Sequence, residues 1–201
     1  SGFLTPLSLG AVANQDLHGL PENQFFIVTP IQFKSEADRL AQYHESIGQT
    51  TTVVTTDEIY NEFSSGVEDV SAIRDFVKMF YDRAASDTNL LPKYLLLFGD
   101  GSYDNKKRFT SNTNFIPTYQ SYNSTIPTSS YVSDDFYGLL DDNEGLWNND
   151  AVDIGIGRFQ VDSKAEAQAV VNKILNYTKT GVPPSTGSSS ACSNQVSGSP
   201  F

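Results

Sequence analysis

The sequence predicts an α/β fold, a three-layer sandwich in which a mostly parallel sheet lies between layers of helix. Two observations carry this. Short β-branched or aromatic runs alternate with segments of helical periodicity, the pattern of a parallel sheet covered by helices. The run YLLLF is also apolar throughout, as a central strand buried on both faces should be.

The elements follow in order. Residues 24–29 (QFFIVT) read as a buried strand. Pro30 and Ser35 then punctuate a helix over 36–46 with Ala37, Leu40, Ala41 and His44 on one face, and Gly48 stops it. Residues 50–56 (TTTVVTT) form the second strand, with Asp57 as the expected N-cap of the short segment EIYNEF. A longer helix is predicted over 70–85, since Ile73, Phe76, Val77 and Phe80 recur at helical spacing and Asp69 or Ser71 can cap it. Residues 94–98 supply the third strand, which ends at Gly99-Asp100-Gly101. From there to about Ser130 the chain is rich in Ser, Thr, Asn, Tyr and Pro and reads as a long excursion, a length that compact domains reserve for functional or mobile loops. Residues 130–140 are expected to be an edge strand or hairpin arm, with the acidic turn DDNEG at 141–145. Residues 152–159 (VDIGIGRF) read as the next strand, and Ser163 caps a last helix over 164–179 whose apolar stripe is Ala167, Val170, Val171, Ile174 and Leu175.

The expected organisation is a lead-in at 1–23, an α/β subdomain at 24–180 and an unstructured tail at 181–201. The tail has no charged residue, and 13 of its 21 residues are Ser, Gly or Pro, which leaves too little apolar surface to fold alone. It reads as a linker or as residues foreign to the fold.

Composition bounds the function. With 201 residues, 38% hydrophobic and 12% aromatic, most of the chain can bury a core. A formal charge of -11 argues against a nucleic-acid partner, which needs clustered basic residues. No apolar run approaches the ~20 residues of a membrane span, and SGFLTPLSLG shows no secretory leader.

Three groups of residues are candidates for chemistry. Gly99, Asp100, Gly101, Ser102, Tyr103 and Asp104 follow the strongest strand, where open α/β sheets bind ligands. The dinucleotide fingerprint is incomplete, however, because no third glycine leads into a helix, and a tight turn capped by Asp100 is the reading preferred. Asp134, Asp135, Asp141, Asp142, Glu144, Asp150 and Asp153 are dense enough to suggest a structural calcium, but the spacing of a calcium-binding loop is missing and solvated turn carboxylates are expected. Nucleophilic catalysis needs a thiol or hydroxyl beside a base. His18 lies in the lead-in, His44 on the first helix as a packed or half-exposed residue, and the lone Cys192 in the tail, so no catalytic pair is assembled. One cysteine allows no internal disulfide, zinc spacings such as C-x-x-C are absent, and neither catalytic, cofactor nor metal residues are assigned.

Taken in order, ANQDLHGLP, FFIVTP, EIYNEFSSG, PKYLLLFGDGSYDN, SSYVSDDFYGLLDD and DIGIGRF, the last followed by a helix containing ILNY, resemble the gingipain-like cysteine peptidase family and its branch of type IX secretion system sortases in Bacteroidetes. The resemblance covers residues 11–179. It implies a caspase-like α/β sandwich of two side-by-side subdomains, of which this chain is the first. It also implies that the catalytic His and Cys belong to the second, so Ala191-Cys192 is only an echo of the nucleophile motif. The resemblance further implies processing of C-terminal sorting domains on secreted cargo, an exported, cell-surface location, and the second subdomain as a partner whose loss uncovers an apolar patch. The alternative is a non-catalytic binding or scaffold module of the same fold.

Overall fold

The structure, a computed structural model, describes residue 5 and residues 10–84, 87–121, 125–145 and 150–180. Cys192 and the expected tail lie outside the described residues. Strand β1 (Phe25–Thr29) leads through a short 3-10 turn into helix α1 (Lys34–Ser46). Strand β2 (Thr51–Thr55) leads directly into α2 (Thr56–Phe63), and α3 (Val70–Ala84) precedes β3 (Tyr94–Phe98). Two-residue strands β4 (Tyr119–Gln120) and β5 (Val132–Ser133) interrupt the long excursion, and β6 (Gly155–Phe159) and α4 (Lys164–Thr180) close the described chain.

The main sheet has the order β2-β1-β3-β6 and is parallel throughout. All five β1 residues are buried, as a strand with a neighbour on each side and helices on each face must be. Side-chain alternation sends the two halves of each strand into separate cores. Phe26, Val28, Val54, Leu95 and Leu97 pack with Ile59, Ile73, Phe76, Val77 and Phe80 of α2 and α3. Phe25, Ile27, Leu96 and Phe98 pack with Ala37, Leu40 and Ala41 of α1 and Ala167 and Val171 of α4. The result is the expected three layers.

The structure corrects three local expectations. Asp57 does not cap α2. Thr55 does, because its hydroxyl accepts the Glu58 N–H at 3.3 Å while the Glu58 carboxylate accepts the Thr55 N–H at 2.8 Å, a reciprocal pair that satisfies two donors at once. Thr55→Ala is expected to cost about 1 kcal/mol in a urea-unfolding measurement, with Thr55→Ser close to wild type. Residues 130–140 do not form a hairpin arm closed by the acidic turn. Only Val132 and Ser133 are strand, they pair backward in the chain with Gln120 and Tyr119, and a 3-10 turn over Asp135–Gly138 follows. That turn buries Phe136 and Tyr137 against α3, a packing demand that alternation does not reveal. The last strand begins at Gly155 rather than Val152, since the Asp153 N–H is given to the Gly138 carbonyl instead of to the sheet. Asp69 and Ser163 act as expected at the starts of α3 and α4, accepting the Ser71 and Glu166 N–H groups.

Candidate functional site

In a parallel sheet the carboxyl ends of all strands lie on one side, and the loops there build the site. Here that side is occupied by residues 99–118 and the β4–β5 ribbon. The excursion is zipped at its base: the Asp100 carbonyl accepts N–H groups from both Phe115 and Ile116 at 3.1 Å, while the Asp100 N–H reaches the Val161 carbonyl. Gly101 must lack a side chain, because a Cβ would stand 2.7 Å from the Thr118 methyl and 3.0 Å from the Ile116 carbonyl oxygen. The glycine therefore serves close approach of one loop arm to the other. Among the described residues no α-helix begins between β3 and β6, so no helix N-terminus is presented to a phosphate and the nucleotide reading gains no support.

Arg158 of β6 organises this end. Its side chain is buried, and its guanidinium makes a bidentate pair with Asp134, at 2.7 Å to each carboxylate oxygen. It also donates to the carbonyls of Gly99, Ile116 and Pro117 at 3.0, 3.0 and 3.3 Å. The Pro117 carbonyl takes a second donor, the hydroxyl of buried Tyr137, whose pKa is raised chiefly by burial. One cation thus fixes the end of β3, the returning arm of the excursion and the segment following β5. Beside it lies a polar pocket of about 250 Å³, lined in part by Asp100, Ser102, Tyr103, Thr118, Ser133 and Gln160. Asp134 is the member of the acidic series that lines this pocket. Arg158 is not among the residues the sequence motifs single out, although a lone cation inside an apolar strand signals a buried partner.

The remaining acidic residues do not converge. Asp141 accepts the Tyr81 hydroxyl, which pushes that phenol up to about 12 with help from burial. Asp142 pairs with Lys78, Asp153 accepts the Leu140 N–H and Asp150 the Gly145 N–H. No cluster of three or more metal-ligating side chains occurs among the described residues, and the less favoured calcium reading gains no support there.

The two histidines stand on opposite faces of the sheet. His18 stacks on Phe63 and contacts Glu62 at 2.7 Å, on the side of α2 and α3. Burial pushes the Glu62 carboxyl up, but donors from Leu17, Gln15 and His18 outweigh it and hold the group below its usual value. His44, half-buried on α1, meets the edge of Phe25 and bonds Gln49 at 2.8 Å. Its pKa is lowered by burial despite the Gln49 contact. Neither imidazole faces the polar pocket, and neither has a described thiol as a partner.

A second concavity lies at the other end of the sheet. Gly155 and Gly157 share the α1/α4 face with Tyr94 and Leu96, and their missing side chains leave an apolar groove of about 430 Å³. Phe25, Leu40, His44, Tyr94 and Ile174 are among its walls. It adjoins β6, whose outer edge has no strand partner among the described residues.

The profile of peptidase family C25 matches residues 19–197. No curated protein sequence matches. Among solved structures, dimeric latent PorU from Porphyromonas gingivalis is similar at 42% identity with a TM-score of 0.74, over 84% of this chain and 17% of that one. The complex of Porphyromonas gingivalis RgpB pro- and mature domains is similar at 21% identity and a TM-score of 0.51, over 77% of this chain and 29% of that one. The Arg-specific cysteine proteinase gingipain R (RgpB) is similar at 20% identity and a TM-score of 0.52, over 82% and 30%. The two RgpB likenesses show the fold alone. This chain spans 17% of the PorU chain and less than a third of either of the other two.

Proposed function

The chain belongs to peptidase family C25, and from that premise we propose that it is the non-catalytic α/β subdomain of a PorU-like cysteine peptidase that acts on the C-terminal sorting domains of exported cargo in type IX secretion. The observation that carries this reading is the combination of 42% identity over 84% of the chain with the separation of its imidazoles. A thiol peptidase needs an imidazole held against its nucleophile, and His18 and His44 are placed by the sheet on opposite faces, each engaged in packing.

On this reading the nucleophile and base come from a second subdomain, and the present chain supplies a rigid wall. The outer edge of β6 and the adjoining glycine-floored groove are the face that receives it, and the loops at the carboxyl end of the sheet border the cleft. The location is the cell surface; no helix among the described residues is long and apolar enough to cross a membrane.

The purified chain is expected to show no thiol-dependent peptidase activity on extended peptides. Activity abolished by Cys192→Ala would overturn the assignment.

A further inference from the structure

The excursion at the carboxyl end of the sheet is built unlike the rest of the molecule. From residue 101 to residue 113 a single residue is buried, and it is a carboxylate, Asp104. Tyr103 and Phe109, the two large rings in this stretch, are 72% and 56% exposed. No apolar anchor therefore holds the segment down. Its order rests on Asp104, whose oxygens accept the Arg108 Nε–H and the Phe109 N–H at 3.0 Å and the Asn112 amide at 3.2 Å. The Asp104 carbonyl accepts the Lys107 N–H and the Asn112 amide as well.

The folded segment is fastened to the body by the Thr113 hydroxyl, which donates to the Asp100 carboxylate at 2.8 Å, by the Gln120 amide, which donates to the Tyr103 carbonyl at 2.9 Å, and by one charged anchor. Glu68, in the connection between α2 and α3, accepts Nδ2 of buried Asn114 at 2.8 Å and Nζ of Lys107 at 2.6 Å. Asn114 in turn accepts the Ser102 N–H at 2.9 Å, so the anchor reaches the first arm of the excursion too. The closed form also holds Lys107 at a φ of 50°, a left-handed conformation that non-glycine residues adopt at a cost. Ser102 and Tyr103 of the first arm are walls of the polar pocket.

We propose that residues 101–114 form a strap beside the polar pocket that opens as a unit while the sheet stays folded, and that two carboxylates, Asp104 within it and Glu68 at its anchor, hold it closed. Regions with few buried apolar contacts open locally at much lower free energy than the core, and this strap has none between its ends. Opening withdraws Ser102 and Tyr103 from the pocket wall, so the strap governs access to the pocket. The charged groups around the lock are Arg108 and Lys107 on the strap, Glu68 from the facing connection and Asp100 at the base.

The direction of the pH response follows. Burial alone would raise the Asp104 pKa, but the Arg108, Phe109 and Asn112 donors lower it below the ordinary 3.8. A carboxyl depressed in the closed form contributes its full stabilisation above the ordinary value and loses it as pH falls through the depressed one. The strap is therefore closed at neutral pH and released by acid.

Limited trypsin digestion of the full chain reads the opening, because Lys106, Lys107 and Arg108 lie on the strap. When opening and closing are fast relative to cleavage, the cleavage rate tracks the open population. Asp104→Asn and, separately, Glu68→Gln are each expected to speed cleavage at these three sites about tenfold or more, the effect of losing a charge-assisted hydrogen bond. Amide-exchange protection in β1 and β3 should stay at the wild-type level. Wild-type cleavage rates in both variants, or a wild-type strap cut as fast as an unfolded peptide of the same sequence, would overturn the proposal. So would loss of β1 and β3 protection in step with strap cleavage in both variants. If Asp104→Asn does not fold, the Glu68→Gln variant alone decides, since its carboxylate is an external anchor.

Discussion

Replacing Arg158 by Met is expected to destabilise the folded chain by about 3–5 kcal/mol, the usual cost of breaking a buried ion pair from one side. The loss has two parts. Asp134 loses its guanidinium partner in a pocket wall that is only partly open to water, and the carbonyls of Gly99 and Ile116 lose their guanidinium donor. The Pro117 carbonyl keeps the Tyr137 hydroxyl and suffers less. Asp134→Asn is the informative companion. It leaves the carbonyl bonds of Arg158 in place and should cost about 1.5–3 kcal/mol, the range for a hydrogen bond to a charged group. Urea-unfolding midpoints measured at neutral pH check both, and a loss under about 1 kcal/mol for Arg158→Met would show that the guanidinium is not the organising group of this end.

Phe76→Ala should be of similar size, about 3–5 kcal/mol, by a different mechanism. Phe76 is fully buried on α3, and its ring meets Phe26 of β1, Phe63 of α2 and Phe80 one turn along its own helix, all edge-on. Removing it leaves a void bounded by three elements that are each fixed elsewhere, so the walls cannot collapse into it. Phe76→Leu, which keeps most of the volume, should lose under about 1.5 kcal/mol. Thermal or urea unfolding of the two variants side by side separates cavity formation from loss of the ring contacts. Equal losses in both would mean that the aromatic edges, rather than filled space, hold α3 to the sheet.

What could be read from the sequence follows the physics of each region. Strand β3 was legible to the residue, because YLLLF is a continuous apolar run bounded by Pro92 and Gly99 and nothing competes with that pattern. Helices α1, α3 and α4 were legible within one or two residues for the same reason, their apolar stripes facing the sheet. The cap of α2 lies two residues before the one Asp57 suggests, since Asp57 and Thr55 are both good caps and only the partner Glu58, three residues after Thr55, distinguishes them. The segment over 130–140 departs from the strand its composition suggests through Tyr131, Val132, Phe136 and Tyr137, because Phe136 and Tyr137 are drawn under α3 by a tertiary contact. At the site, the position of the excursion and its polar character were visible. The Arg158–Asp134 pair was not, because its members are 24 residues apart and no local pattern links them.

That separation also sets an order of events during synthesis. Strands β1, β2 and β3 and helices α1 to α3 all precede residue 99, so three neighbouring strands and one complete helical layer can assemble while the ribosome is still adding the excursion. The contacts that tie the base of the excursion to β6 wait for Arg158, which joins residues 59, 42 and 24 positions earlier in the chain, and loops of that span close late. Helix α4 comes later still, so the α1 side of the sheet stays half uncovered on the nascent chain after the α2–α3 side is sealed. A chaperone or protease that samples unfinished molecules would therefore meet an asymmetric intermediate, more apolar on one face and lacking the Arg158 ties at one end, until α4 covers Leu40, Leu96 and Phe98.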